Sequence, residues 1–438
     1  MVEVRGTMTN AAQVDLIDRL GRDRVAVGEL ARRMVGLDAD SATGPLAVVR
    51  PGHADHMEQI IRVARQRHVP LEICAQLPVL QPEELRDVLV VDTTGLNRPP
   101  AIDVARRVVT VGAGVEIAAV DRATRQARLC LRGLPTQLLA QTIGAQLASG
   151  EPGELGLGDG SLLSDVVGAQ IVTGGGRTLR VGGTEMLGQP PWLGEGLASP
   201  LPLLLASEGK LAVLCEVSLR LQRAAHISWS QAKFKADRQT LLGVLSAARQ
   251  VLALRLIDSI LLTEDQGVLY VLVRAATWRG EEDLPAVAER IRSEFKRMAA
   301  SLPAFVAEDP RVRLGQKPRD SRLSTLPPAA FLDLRLAWPD VAGLLDVSDA
   351  LYAQAEQPPQ RQWALHPDFL RLRCGLPAPR PDLHPLMQRF GALLDAGAVP
   401  IWQGPRLRAI TRERMPPAAK VLMTALARAW DPEGVLGA

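Results

Sequence analysis

Apolar positions recur at helical spacing through Ala11–Val35, set among Arg and Asp, and predict one or two short helices. The polar run Asp38–Gly44 predicts a turn. From Leu46 the texture changes. Ala47-Val48-Val49-Arg50-Pro51 predicts a short strand stopped by proline, and Met57, Ile60, Ile61 and Ala64 give His56–Arg67 the stripe of an amphipathic helix. Val88–Asp92 and Val108–Val111 are Val-rich strands separated by the turn-like Asn97-Arg98-Pro99-Pro100. Helices are predicted over Ile117–Gln126 and Thr142–Ala148. Val167–Val172 and Thr178–Val181 flank Gly174-Gly175-Gly176 as a hairpin, and Leu211–Gln222 reads as one long strand.

After Ala225 the pattern restarts. Strands are predicted over Ile227–Phe234, Leu256–Leu262, Val268–Arg274, Pro328–Leu336 and Phe369–Cys374, and helices over Arg238–Leu252, Leu284–Ala299 and Val341–Gln354. This is the composition of an α+β domain with helices on one face of an antiparallel sheet. Pro377–Pro385 reads as a linker or long turn, and Pro416–Ala429 as a last helix stopped by Trp430-Asp431-Pro432-Glu433-Gly434.

A chain of 438 residues exceeds one compact core and points to two or three domains. Lys+Arg 51 against Asp+Glu 48 leaves +3, with the signs interspersed, which argues against a dedicated nucleic-acid binder. Tyr270 and Tyr352 are the only tyrosines, so base-stacking platforms are not expected. The longest apolar run, Leu197–Leu205, is broken by Pro200 and Pro202 and is too short for a membrane span. Met1–Asn10 lacks a basic-then-apolar leader pattern, which leads us to expect a cytoplasmic protein. Cys74, Cys130, Cys215 and Cys374 lie far apart without a CxxC pair, so buried thiols are expected and no metal site.

Four blocks carry a family resemblance. The first is Ala47–Pro51 with its following helix and Val69-Pro70. The second is Val90-Val91-Asp92-Thr93-Thr94-Gly95-Leu96-Asn97-Arg98 with Val109-Thr110-Val111-Gly112-Ala113-Gly114-Val115. The third is Thr142-Ile143-Gly144-Ala145, then Ser164–Gly168 and Leu179–Gly183. The fourth is Ser207-Glu208-Gly209-Lys210-Leu211 running on to Leu221. In this order over Pro45–Gln222, with the tail Trp430–Leu436, the chain resembles the FAD-linked oxidases of the vanillyl-alcohol-oxidase (PCMH) type. Within that family it is nearest to the FAD-binding subunits of bacterial glycolate oxidase.

The resemblance implies an α+β architecture. An N-terminal helical segment (1–44) precedes a PCMH-type FAD-binding domain of two α+β lobes (45–223). A cap domain with an antiparallel sheet and helices on one face follows (224–380), then a C-terminal segment that packs back on the first domain (381–438). It implies FAD as cofactor, held by Gly112, Ala113, Gly114, Thr142, Ile143, Gly144, Ala145, Ser207, Glu208, Gly209 and Val213. It also implies protein partners, an iron–sulfur subunit among them. The active form of the family reading is a subunit that oxidises a 2-hydroxy acid and passes electrons to that partner.

Several residues depart from the family pattern. A diphosphate outside a Rossmann fold needs backbone N–H groups brought close by glycine. Where the family places an Arg-Gly-Gly/Ala-Gly run, this chain reads Val69-Pro70-Leu71-Glu72-Ile73-Cys74-Ala75-Gln76-Leu77-Pro78-Val79-Leu80. That run has no glycine and no basic residue; Pro78 removes a donor and Glu72 adds negative charge. Ala145 and Ala212 stand where the family has glycine, and Leu187–Gly196 lacks the family's Lys, Asn and Tyr. These changes at the cofactor wall describe a degenerate flavin site and a non-catalytic, structural or regulatory subunit of a larger assembly. Leu71, Ile73, Leu77, Val79 and Leu80 are then the expected fillers of the vacated groove.

Histidine is the usual acid–base group near neutral pH. His53, His56 and His68 flank the first amphipathic helix as surface residues, His226 has no readable partner, and His384 reads as a structural residue of the proline-rich linker. His366 lies where the family's cap domain often carries a catalytic histidine and is the candidate here. The glycine-rich Gly150–Gly160 lacks the Lys-Ser/Thr ending of a phosphate loop and carries Glu151, Glu154 and Asp159, so it reads as a surface loop. Arg106-Arg107 and Arg406–Arg414 read as solvated basic clusters.

Overall fold

The computed structural model describes residues 2–41, 43–75, 85–131, 141–149, 162–182, 201–205, 207, 209–223, 226–253, 259–265, 267–277, 311–314, 331–337, 341–352, 361–365, 369–375, 399–400 and 417–436, with 286, 289 and 293. The first lobe begins with α1 (Val2–Leu20), β1 (Val25–Val27) and α2 (Gly28–Val35), followed by β2 (Ala47–Val49), α3 (Ala54–Arg67), β3 (Leu71–Cys74) and β4 (Leu89–Asp92). Its sheet runs in the order β1-β2-β4-β3, with β2, β4 and β3 parallel and β1 antiparallel at the edge. Both faces are covered, so β1, β2 and the first three residues of β4 are entirely apolar. Ala47, Val49, Leu89, Val91 and Leu71 pack with Leu16 of α1 and Met57, Ile60 and Ile61 of α3. Val48 and Val90 face the other way, onto Ala31 and Val35 of α2.

The second lobe is antiparallel. It contains β5 (Ala101–Asp103), β6 (Val108–Gly112), α4 (Ile117–Gln126), β7 (Leu129–Cys130), α5 (Ile143–Ser149), β8 (Val166–Thr173), β9 (Thr178–Gly182), α6 (Leu201–Leu204), β10 (Ala212–Arg220) and β11 (Gln222–Arg223). The sheet order is β5-β6-β10-β8-β9. Central strand β10 serves two cores: Leu214, Val217 and Leu219 belong to this lobe's core, while Val213 and Cys215 point into the first lobe's.

The second domain is built on an eight-stranded antiparallel sheet, in the order β15-β12-β14-β13-β17-β18-β16-β19. In chain order its elements are β12 (His226–Lys235), α7 (Arg238–Ala253), β13 (Ser259–Asp265), β14 (Val268–Thr277), β15 (Arg311–Leu314), β16 (Phe331–Ala337), α8 (Val341–Tyr352), β17 (Arg361–Leu365), β18 (Phe369–Gly375) and β19 (Val399–Pro400). Arg238 of α7 reaches Asp346 and Asp349 of α8 at 2.7 and 2.9 Å, so the two helices lie side by side. The α+β expectation is borne out. Among the described residues no helix is long and apolar enough to cross a membrane.

The chain then returns to the first domain. Helix α9 (Pro417–Trp430) lays Met423, Leu426 and Trp430 on the second lobe's core, and Val435 and Leu436 enter the first lobe's core. Asp431 organises this tail. Its carboxylate accepts from the backbone N–H of Val435 (3.0 Å) and Leu436 (2.8 Å), and Leu71 donates to the Val435 carbonyl at 2.8 Å. Arg65 of α3 donates to the Gly175 carbonyl at 2.9 Å and to Glu433 at 2.5 Å.

Several elements differ from the sequence expectation. Val25–Val27 is a strand inside the stretch read as helical, and Leu71–Cys74, read as part of a phosphate-loop position, is a parallel strand. The expected strand Leu211–Gln222 is two, because Leu221 leaves the ladder to donate to the Arg107 carbonyl at 2.7 Å. Leu71 belongs to the first lobe's core and Ile73 packs against it, so both fill the sheet rather than a groove. Leu77, Val79 and Leu80 lie outside the described residues, as do Gly150–Gly160, Leu187–Gly196, Pro377–Pro385 and Arg406–Arg414; of Leu284–Ala299 only Ala286, Glu289 and Ser293 are described, as helix.

Candidate functional site

In sheets with parallel strands, ligands bind beyond the carboxyl ends. Here the ends of β2, β4 and β3 place Arg50, Asp92-Thr93 and Cys74-Ala75 in one row. Asp92, 1% exposed, takes Nε of Arg50 at 2.7 Å on one oxygen; its other oxygen accepts from the Thr94 N–H at 3.0 Å and hydroxyl at 2.6 Å. The Thr93 hydroxyl donates to the Cys74 carbonyl at 3.0 Å, tying β4 to β3. Asp92 and Thr94 fall in one block of the resemblance and Arg50 in another, but nothing in the sequence shows that Arg50 closes onto them from 42 positions away.

Gly112, Ala113 and Gly114 follow β6 and pack directly on the segment after β4. A Cβ on Gly112 would lie 2.2 Å from the Leu96 carbonyl oxygen, and one on Gly114 would lie 2.3 Å from that of Thr93. The glycines are required because two stretches of backbone touch.

The amides here are committed. Gly112 donates to Arg98 (3.0 Å), Ala113 to Cys215 of β10 (3.0 Å), Gly114 to Leu96 (2.9 Å) and Val115 to Gly112 (3.1 Å). At the start of α5, Ile143 donates to Val115 (2.9 Å) and Gly144 to Ala113 (2.7 Å), while Gln146 donates to the Thr142 carbonyl (3.1 Å). The Thr142 hydroxyl accepts from Ala145 at 3.1 Å, as an N-cap does. Ser207, nine-tenths buried, spends its hydroxyl on the Leu204 carbonyl at 2.7 Å. Gly209 turns with φ +78° against Ile73 of β3, and Val213 sits in β10 within the first lobe's core.

The structure therefore brings Gly112–Gly114 together with Thr142–Ala145 and sets Gly209 beside β3. Glu208 and His366 lie outside the described residues, as does the loop after Ala75. A diphosphate needs donors free to turn toward it. Those of Gly112–Val115 and Ile143–Gln146 all point at protein acceptors, so these two segments offer a diphosphate no free amide.

Other candidate groups are equally constrained. Burial pushes the Cys215 thiol up to about 12, with Glu216 and Glu58 adding to the effect, so it is not a nucleophile. The rings of His53 and His56 stack with centroids 3.7 Å apart. Burial, then His53 and Arg24, lowers the His56 pKa, and its Nδ1 accepts from Gly52 N–H at 3.2 Å. Among the described residues no group of three or more His, Cys, Asp or Glu is placed to hold a metal ion.

The comparisons with known proteins agree with this architecture. Residues 45–182 match the family described as "FAD binding domain". Residues 45–182 thus resemble an FAD binding domain, and FAD is the cofactor that goes with that family. The fold resembles 4-ethylphenol oxidase from Gulosibacter chungangensis at 14% identity and a TM-score of 0.77, covering 98% of this chain and 96% of that one. It also resembles p-cresol methylhydroxylase (12% identity, TM-score 0.72, 98% and 96% covered) and alkyldihydroxyacetonephosphate synthase (14%, 0.65, 97% and 85%). These likenesses establish the PCMH-type fold. No curated protein sequence matches the chain.

Proposed function

We propose that this protein is a non-catalytic member of the flavin-oxidase fold, acting as a structural or regulatory subunit of a larger assembly. The carrying observation is the commitment of the Gly112–Val115 and Ile143–Gln146 amides to protein acceptors. The preceding strand ends in Cys74-Ala75 and continues into a run without glycine or basic residues. Charge-assisted hydrogen bonds contribute about 1.5–3 kcal/mol each. Missing two of them lowers FAD affinity roughly 10²–10⁴-fold.

The competing reading is an FAD-dependent subunit that oxidises a 2-hydroxy acid and hands electrons to an iron–sulfur partner. One observation favours it: the chain spans nearly the whole of 4-ethylphenol oxidase and p-cresol methylhydroxylase in fold. Purified full-length protein decides between them. Colourless protein that releases no flavin on denaturation, and binds added FAD only weakly by calorimetry, supports the non-catalytic subunit. Yellow protein with one tightly held FAD per chain overturns it.

A further inference from the structure

The second domain has a pocket of about 210 Å³ at one end of its sheet, beside the turn between β13 and β14. Strand β12 starts next to the first domain at His226 and ends at Lys235, next to Ala236 of the pocket. Ten residues at ~3.3 Å each place the pocket about 30 Å along the sheet from that junction. Its described lining comes entirely from residues outside the 45–182 match.

Leu241 and Leu269, 3% and 0% exposed, give the pocket an apolar wall. Apart from Ala236, the rest of the described lining is charged: Asp237 just before α7, Arg238 from α7, Glu264 from β13, Asp349 from α8 and Arg361 from β17. Arg238 binds Asp346 and Asp349, and Arg361 binds Asp349 and, more loosely at 3.6 Å, Glu264. Asp237 accepts from the Thr240 N–H at 2.8 Å and caps α7. Among the lining groups, Arg238 and Arg361 stand against Asp237, Glu264 and Asp349, an excess of one negative charge.

Glu264 pairs with Arg361 without a hydrogen bond. Its side chain is 10% exposed, and Oε2 makes no hydrogen bond; the closest guanidinium nitrogen, Nη1 of Arg361, is 3.6 Å away. A buried acceptor without a donor is costly, and each such group in a folded protein calls for a reason. Here it borders a cavity whose surroundings carry surplus negative charge.

We propose that this pocket binds a small organic cation, with a primary ammonium or guanidinium group on Glu264 and its carbon chain against Leu241 and Leu269. At ~30 Å³ per water-sized volume the pocket takes about seven non-hydrogen atoms. Burial raises the Glu264 pKa, Arg361 opposes that and Asp349 adds to it; Arg238 and Asp237 are the other charged groups facing the pocket. A cation binds the ionised carboxylate, so affinity increases with pH through the Glu264 titration.

Calorimetry on the full chain with butylammonium, 1-butanol and butyrate as probes tests this. Butylammonium is expected to saturate at one site, at least tenfold tighter than 1-butanol, with no butyrate binding and at least tenfold weaker butylammonium binding to Glu264→Gln. The wild-type protein gives a second readout that needs no variant, a rise of butylammonium affinity with pH. Absence of saturable binding, equal affinity for 1-butanol, unchanged affinity in Glu264→Gln or a flat pH profile would each overturn the proposal. Flavin content enters none of these measurements, so the outcome is independent of the reading given for the first domain.

Discussion

Gly174, at the tip of the β8–β9 hairpin, and Asp431, in the C-terminal tail, touch so closely that a Cβ on the glycine would lie 2.3 Å from the Asp431 Oδ1. The next residue, Gly175, donates to the Trp430 carbonyl at 2.8 Å. The hairpin thus holds the tail whose last residues complete the first lobe's core.

Asp431→Ala removes the acceptor of the buried Val435 and Leu436 amides. Each orphaned donor costs about 1–3 kcal/mol, so a loss of at least ~2 kcal/mol is expected in urea denaturation. Gly174→Ala should reproduce much of this loss by displacing the same carboxylate. A variant with an unchanged urea midpoint would show that the tail contributes nothing to stability.

Gly112→Ala and Gly114→Ala each place a methyl within 2.2–2.3 Å of a backbone oxygen. Both should fail to accumulate as soluble protein whether or not FAD is supplied during expression. Gly209→Ala has room but a positive φ, and is expected to cost about 1 kcal/mol. Rescue of Gly114→Ala by added FAD would indicate that the glycine serves a ligand rather than the contact with Thr93.

Replacing Cys74–Pro78 with an Arg-Gly-Gly-Gly-Thr run supplies free donors and a positive charge at the end of β3. FAD affinity, read by flavin fluorescence quenching, should rise at least tenfold. Ala145→Gly alone should change nothing, because the Ala145 amide is already committed to the Thr142 hydroxyl. No gain from the loop replacement would count against the loop as the origin of weak binding.

Burial lifts the Glu264 carboxyl above its ordinary 4.5, outweighing the opposite pull of Arg361. Between 4.5 and that raised value the folded chain retains a proton that the unfolded chain has released, so this group's contribution to stability falls as pH rises. Glu264→Gln cannot ionise. Its melting temperature relative to wild type should therefore improve from acidic to neutral pH in a buffer free of amines. Glu433 has the opposite slope: its hydrogen bond with Arg65 lowers its pKa, and that stabilisation is lost as pH falls.

Strongly periodic elements were legible in the sequence. Ile117–Gln126 is a helix over the expected residues, and the expected β8–β9 hairpin and tail helix are present with small shifts at their ends. Elements defined by distant partners were not. Val25–Val27 is too short to declare itself and is a strand because Val25 pairs with Val49; Leu71–Cys74 is one because it lies parallel to Leu89–Asp92. The same applies to the site. Its glycines are visible as a motif, but their hydrogen-bond acceptors, such as the Cys215 carbonyl for Ala113, lie elsewhere in the chain. Glu264 and Arg361 carried no signal at all, since a charged residue at a strand end reads as solvated until its surroundings are known.

The close approach of Gly112 and Gly114 to the segment after β4 also bears on how such chains diverge. A mutation that costs the protein its ligand leaves this backbone crossing in place, and selection on folding alone keeps excluding larger side chains there. Glycine signatures can in this way outlast the binding they once accompanied, and a descendant that has changed its trade still carries the ancestral spelling.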